Sequence, residues 1–186
     1  MKLFTAPTHE PVTLTEAKDH LRVDHAADDA WIGECIVAAR QWCEQYCGRT
    51  FITSTWDWYL DALGDTLEIP MPPTQSVTSI TYMDSNGDSQ VLSTALYRVD
   101  VISQPARITS AYGEIWPSTY DVINSVTVRV VAGYGGAAQV PSSIRHAILI
   151  MVGELYENRE DSIALTINSV PFGVRALLAP YRISLL

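Results

Sequence analysis

Residues 126–160, VTVRVVAGYGGAAQVPSSIRHAILIMVGELYENRE, read as a strand, a glycine-rich turn and a long helix. From Ala147 to Val152 six consecutive residues are apolar. On a period of about 3.6 residues, six neighbours point in every direction around the axis. A helix on the surface of a monomer shows a single apolar stripe instead. The pattern therefore predicts a helix buried on all sides. In a chain of 186 residues, the natural second wall is another copy of the same protein. The stretch points to assembly rather than catalysis, with Ile148, Ile150, Met151, Val152 and Leu155 as candidate subunit-interface residues, some packing on Ile36 and Trp42 and others on a neighbour.

Upstream, the texture is β. FITSTWDWYL (51–60) alternates and is rich in aromatic and β-branched residues, and TLEIP, a proline break at Pro70–Pro73 and SVTSITYM follow. Asn86–Gly87 is a two-residue hairpin signal with QVLS as the returning strand. Short strands near 97–101 and 106–109, a loop around 113–120 and a strand at 125–132 complete an all-β stretch.

Helices flank it. Thr13 and Glu16 have capping-box spacing, which predicts a short helix from Leu14 to Leu21. Asp28 or Asp29 then caps a second helix, which runs to Cys47 and is stopped by Gly48. Trp31, Ile32, Cys35, Ile36, Ala39, Trp42, Cys43 and Tyr46 recur at three- and four-residue steps, an amphipathic pattern. Past the β stretch, Ser142 or Ser143 caps the long helix, and PFGVRALLAPYR forms a short helix that Pro180 stops. The fold class is α+β: a helical core of two N-terminal helices, one long and one short C-terminal helix, interrupted by a β-rich insertion. The divisions fall at 1–50, 51–132 and 133–186.

With 47% hydrophobic residues and five tryptophans, the chain buries a real core. Its longest apolar run is far short of the roughly 20 residues of a membrane span. The N-terminus MKLFTAPTHEP lacks the apolar stretch of a secretory signal, so a soluble protein made in the cytoplasm is expected. The net charge is −9: residues 1–50 hold 8 acids against 5 bases, 51–140 hold 9 against 3, and 141–186 balance at 4 and 4. Phosphate binding relies on clustered Lys and Arg, which this chain lacks.

No catalytic, cofactor or metal constellation emerges. Gly133, Gly135 and Gly136 match neither the dinucleotide fingerprint nor the P-loop, and read as a chain-reversing turn. His146 is two helical turns from Glu154, and no HExxH spacing occurs, so a hydrolase built on them is the weakest reading. Cys43 and Cys47 share a helical face but lack further ligands for a zinc site; they read as small apolar residues on a buried face. Asp24, Asp28 and Asp29 lack the glycine and glutamate of a calcium loop.

Taken in order, EAKDHLRVD, AADDAWIGECIVAARQWCEQYCGRTFI, the AGYG turn, VPSSIRHAILIMVGELYENRE and PFGVRALLAPYR resemble the head–tail connector proteins of tailed bacteriophages, also called adaptor or head-completion proteins. The resemblance covers nearly the whole chain. It implies a virion structural protein without catalysis or cofactor. It implies a ring of about twelve subunits below the portal protein, leading to a tail-side stopper or tail-completion protein. It also implies a portal-facing C-terminal tail, for which Phe172, Leu177, Leu178, Tyr181, Ile183, Leu185 and Leu186 are the candidates. An acidic subunit repeated around a channel lets DNA pass without specific binding. The alternative is another phage tail or baseplate component, or a small β-domain binding module that holds a partner through the aromatics of 51–60.

Overall fold

The computed structural model describes residues 1–158 and 172–183. Along the chain, β1 (Lys2–Thr5) precedes α1 (Leu14–Leu21) and α2 (Asp29–Cys47). Seven strands follow: β2 (Ser54–Leu60), β3 (Thr66–Ile69), β4 (Thr74–Met83), β5 (Ser89–Val91), β6 (Tyr97–Asp100), β7 (Ala106–Ser110) and β8 (Val126–Ala132). Then come α3 (Ser142–Glu157) and α4 (Phe172–Leu178), the latter running into a 3-10 turn at Ala179–Tyr181 that contains Pro180. The chain divides into two compact units: residues 1–7 with 53–134, and residues 8–52 with 135–186.

The first unit is a β-sandwich. A five-stranded antiparallel sheet in the order β1-β2-β8-β4-β5 faces a three-stranded sheet in the order β3-β7-β6. β8 is the centre: Val126, Val128, Val130 and Ala132 are fully buried, while the residues between them are half-buried. That alternation is what a strand with one face in a core requires. Leu67, Ile69, Ile80, Tyr97 and Ile108 complete the core from β3, β4, β6 and β7. On the other face of the large sheet, Arg129 makes a two-bond ion pair with Asp57 (2.7 and 2.9 Å) and lies 3.5 Å under the Phe4 ring. Guanidinium, carboxylate and aromatic ring together tie β1 to the sheet.

Residues 2–5 are thus part of the β unit, although the sequence reading placed 1–50 with the helices. A four-residue edge strand exposed at every position shows no alternation to read. The hairpin at Asn86–Gly87 also differs from expectation. The Gly87 N–H donates to Asp84 O (2.8 Å) and the Asp84 N–H to Asp88 O (2.9 Å), which encloses three loop residues rather than two. Gly87 takes the left-handed conformation (φ 88°) that such a loop needs at its last position.

The second unit is helical, with α3 packed on α2, α4 and α1. The capping box of α1 is present in full: Thr13 Oγ1 accepts from the Glu16 N–H, and Glu16 Oε2 accepts from the Thr13 N–H. α2 ends at left-handed Gly48, as expected. The other two caps differ. Asp28 stands at the N-cap of α2 but makes no capping bond; its carboxylate accepts instead from the Tyr156 hydroxyl of α3 (2.6 Å). α3 begins after Pro141, and neither Ser142 nor Ser143 caps it. Proline fixes φ near the helical value, so the helix starts there without a side-chain acceptor.

A buried charge cluster joins three segments of this unit. Arg40 donates to Glu10 (2.6 Å) and to Glu44 (2.6 Å), and the Phe51 N–H donates to the other Glu44 oxygen (2.7 Å). The segment before α1, the middle of α2 and the exit from α2 are thereby fixed to one another.

Candidate functional site

Within the single chain, α3 is buried on one side only. Ile144, Ala147, Ile148 and Val152 are fully inaccessible and Met151 nearly so. Leu149, Ile150, Gly153 and Leu155 are half-buried, and His146 and Glu157 are exposed. Of the five candidate interface residues, Ile148, Met151 and Val152 therefore lie in the chain's own core, whereas Ile150 and Leu155 retain surface. Ile150 lies well away from the Ile144–Ile148–Val152 stripe, which makes it the apolar residue of that run with most to gain from a neighbour.

The C-terminal candidates separate in the same way. Phe172 is 86% exposed, whereas Leu178 is fully buried together with Val174. Leu177, Tyr181 and Ile183 are half-buried. The segment is held to the end of α2: the Ile183 N–H donates to Cys47 O (2.9 Å), and Arg49 Nε donates to Tyr181 O (2.5 Å). Leu185 and Leu186 lie outside the described residues.

The aromatics of 51–60 do not form an exposed platform, contrary to the binding-module reading. Phe51 is fully buried, and Trp56 and Trp58 pack against the sandwich core; only Tyr59 reaches the surface, at 37%. Their alternation was the signature of a half-buried strand, not of a ligand surface.

The thiols of α2 are buried, and that burial pushes Cys43 up to about 12 and Cys47 up to about 11. Both are protonated at neutral pH and pack as small apolar groups. His146 faces His20 edge-on, with ring centroids 6.4 Å apart. Among the described residues, no three His, Cys, Asp or Glu side chains are grouped as a metal would require. Among the same residues, no helix is long and apolar enough to cross a membrane.

Charge is distributed unevenly. The turns of the sandwich at 61–65 and 84–88 and the long connection at 111–125 carry Asp61, Asp65, Asp84, Asp88, Glu114 and Asp121 and no Lys or Arg. Hydrogen bonds from Gln90 and from the amides of Asn86, Asp88 and Gly87 hold the Asp84 carboxyl below its ordinary range. It stays ionised at neutral pH.

A family model described as phage gp6-like head-tail connector protein matches residues 11–121. Among solved structures, the chain is similar to one in the neck of an empty GTA particle computed with C6 symmetry, with a TM-score of 0.80 and 23% identity over 100% of this chain and 98% of that one. It is similar to one in the virion of a native gene transfer agent (GTA) particle, with a TM-score of 0.80 and 26% identity over the same shares. It is also similar to one in the neck of a native GTA particle computed with C12 symmetry, with a TM-score of 0.76 and 25% identity over 100% and 98%. No curated protein sequence matches the chain.

Proposed function

This chain belongs to the phage gp6-like head–tail connector family, and from that premise we propose how it works. It is a structural component of the virion's head–tail connector. Subunits made in the host cytoplasm close into a ring of twelve below the portal protein, extend the DNA channel towards the tail, and hand it on to a tail-side stopper or tail-completion protein. The observation that carries the ring is the full-length likeness to neck proteins resolved under C6 and C12 symmetry, which a ring of twelve satisfies in both cases.

A ring of identical subunits needs two different complementary surfaces on each copy. The half-buried flank of α3 around Ile150 supplies one of them. Phe172 is offered to the portal, since the segment that follows it is already bonded to its own helical unit. The excess of carboxylates repels the phosphate backbone, so DNA slides through without being held.

Ile150→Glu tests the ring. Because Ile150 is only half-buried in the single chain, the variant folds and melts close to the wild type. Mixed with the portal protein and viewed in negative stain, the wild type forms rings and the variant does not. Undiminished rings from Ile150→Glu would remove this flank from the interface.

A further inference from the structure

The β unit also carries an apolar segment that its own core does not use. In the connection from β7 to β8, Tyr112, Ile115 and Ile123 are 104%, 87% and 81% exposed. Scattered exposed apolar residues are ordinary, but several large ones on a single connection mark an interaction site. The second half of the segment is anchored. The Tyr120 N–H donates to Met83 O (2.9 Å), the Asn124 N–H to Asp61 Oδ1 (2.8 Å), and Ser125 Oγ to Asp61 O (2.6 Å). These bonds set it against the turns bearing Asp61 and Asp84. Trp116, from the same segment, packs on the sandwich core with its Nε1–H buried and without an acceptor. A buried donor without an acceptor bears its whole desolvation cost, so the segment's hydrogen bonding is incomplete in the single chain.

We propose that the Ala111–Ser125 segment docks a protein other than this chain, with Ile115 and Ile123 as apolar anchors, and that the partner's contacting face bears Lys or Arg around an apolar centre. Charge selects the occupant. The segment and the two turns beside it offer carboxylates only. A second copy brings a net charge of −9, and five of its twelve Lys and Arg (Lys18, Arg40, Arg107, Arg129 and Arg145) are already committed to internal ion pairs. Nucleic acid is repelled by the same carboxylates. A basic-rimmed protein face gains both the apolar burial and the charge complementarity. The proposal rests on the connector reading, which sets this chain among different proteins in a particle neck.

Photo-crosslinking in assembled particles tests it. Benzoylphenylalanine replaces Ile123 in one full-length chain and Ile150 in another, and the linked peptides are identified by mass spectrometry. The probe at 123 is expected to capture a different protein through a peptide containing Lys or Arg, and the probe at 150 to capture another copy. Capture only of this chain at 123, or none there while 150 links normally, overturns the docking proposal. Capture of a different protein at 123 with no self-link at 150 supports docking and overturns the ring contact instead. The double variant Ile115→Ser/Ile123→Ser, altered only at exposed positions, is expected to melt like the wild type and to bind the captured protein on the order of tenfold more weakly. Unchanged binding overturns the assignment of the anchors.

Discussion

Arg40 shows how a single side chain decides whether a buried cluster is tolerable. It lies 8% exposed between Glu10 and Glu44. Burial pushes the Glu44 carboxyl above its ordinary 4.5, against the pull of the Phe51 amide and of Arg40. A carboxyl whose folded pKa lies above its unfolded one opposes folding once ionised. Its cost is absent well below 4.5 and grows as pH rises through that value towards the raised one. Arg40→Met removes the counter-charge and leaves the cost uncompensated. At pH 7 the variant is expected to lose about 3–5 kcal/mol of stability. Near pH 4, where Glu44 takes up a proton, the loss is smaller. Urea titrations at the two pH values check this, and equal losses would contradict the role given to Glu44.

At the scale of elements, the strongest dependence lies in the sandwich. Ile80 of β4 is fully inaccessible, in the core shared by the two sheets. Ile80→Ala is expected to cost about 2–5 kcal/mol, the range for deleting buried methyl groups where the surroundings relax only partly. The shift is read in the fluorescence of Trp56, Trp58 and Trp116, which pack on that core. The elements also differ in how far the sequence betrays them. Thr13–Glu16, Gly48 and the three- and four-residue steps of α2 are local signals, and the structure follows them. β1 was invisible because its pairing partner, β2, lies some fifty residues away and its own side chains are all exposed. The caps of α2 and α3 misled for a related reason. An aspartate can bond forward to its own helix or sideways to another, and Tyr156 took Asp28. The apolar run of α3 predicts burial on all sides, whereas the single chain buries one side only, because periodicity cannot divide burial between a chain and its neighbour. The single chain buries Ile148 fully and Ile150 by half, which leaves Ile150 available to the proposed neighbour.

At the scale of the whole molecule, the surfaces proposed for attachment and for ring closure lie on different parts of the helical unit. Deleting residues 181–186 removes Tyr181 and Ile183 with their bonds to Arg49 and Cys47, together with the residues beyond them. The truncated chain is expected to lose co-sedimentation with the portal protein; undiminished binding would exclude the tail from that contact. The exposure of Tyr112, Ile115 and Ile123 on the β7–β8 connection is not legible in the sequence, because they are as apolar as core residues and nothing local says they face outward. The buried aromatics of 51–60 were misread in the opposite direction for the same reason.

The position of β8 has a consequence for synthesis. It is the middle strand of its sheet, flanked by β2 and β4, yet among the described strands it is the last to leave the ribosome. Until residue 132 is made, β2 and β4 present unpaired edges and the sandwich has no centre. From the completion of β2 at Leu60 until Ala132 is made, a nascent chain therefore holds strand edges open to pairing with other chains. A chain cut short before Val126 has no route to the sandwich. Completing the sandwich therefore requires the chain through Ala132.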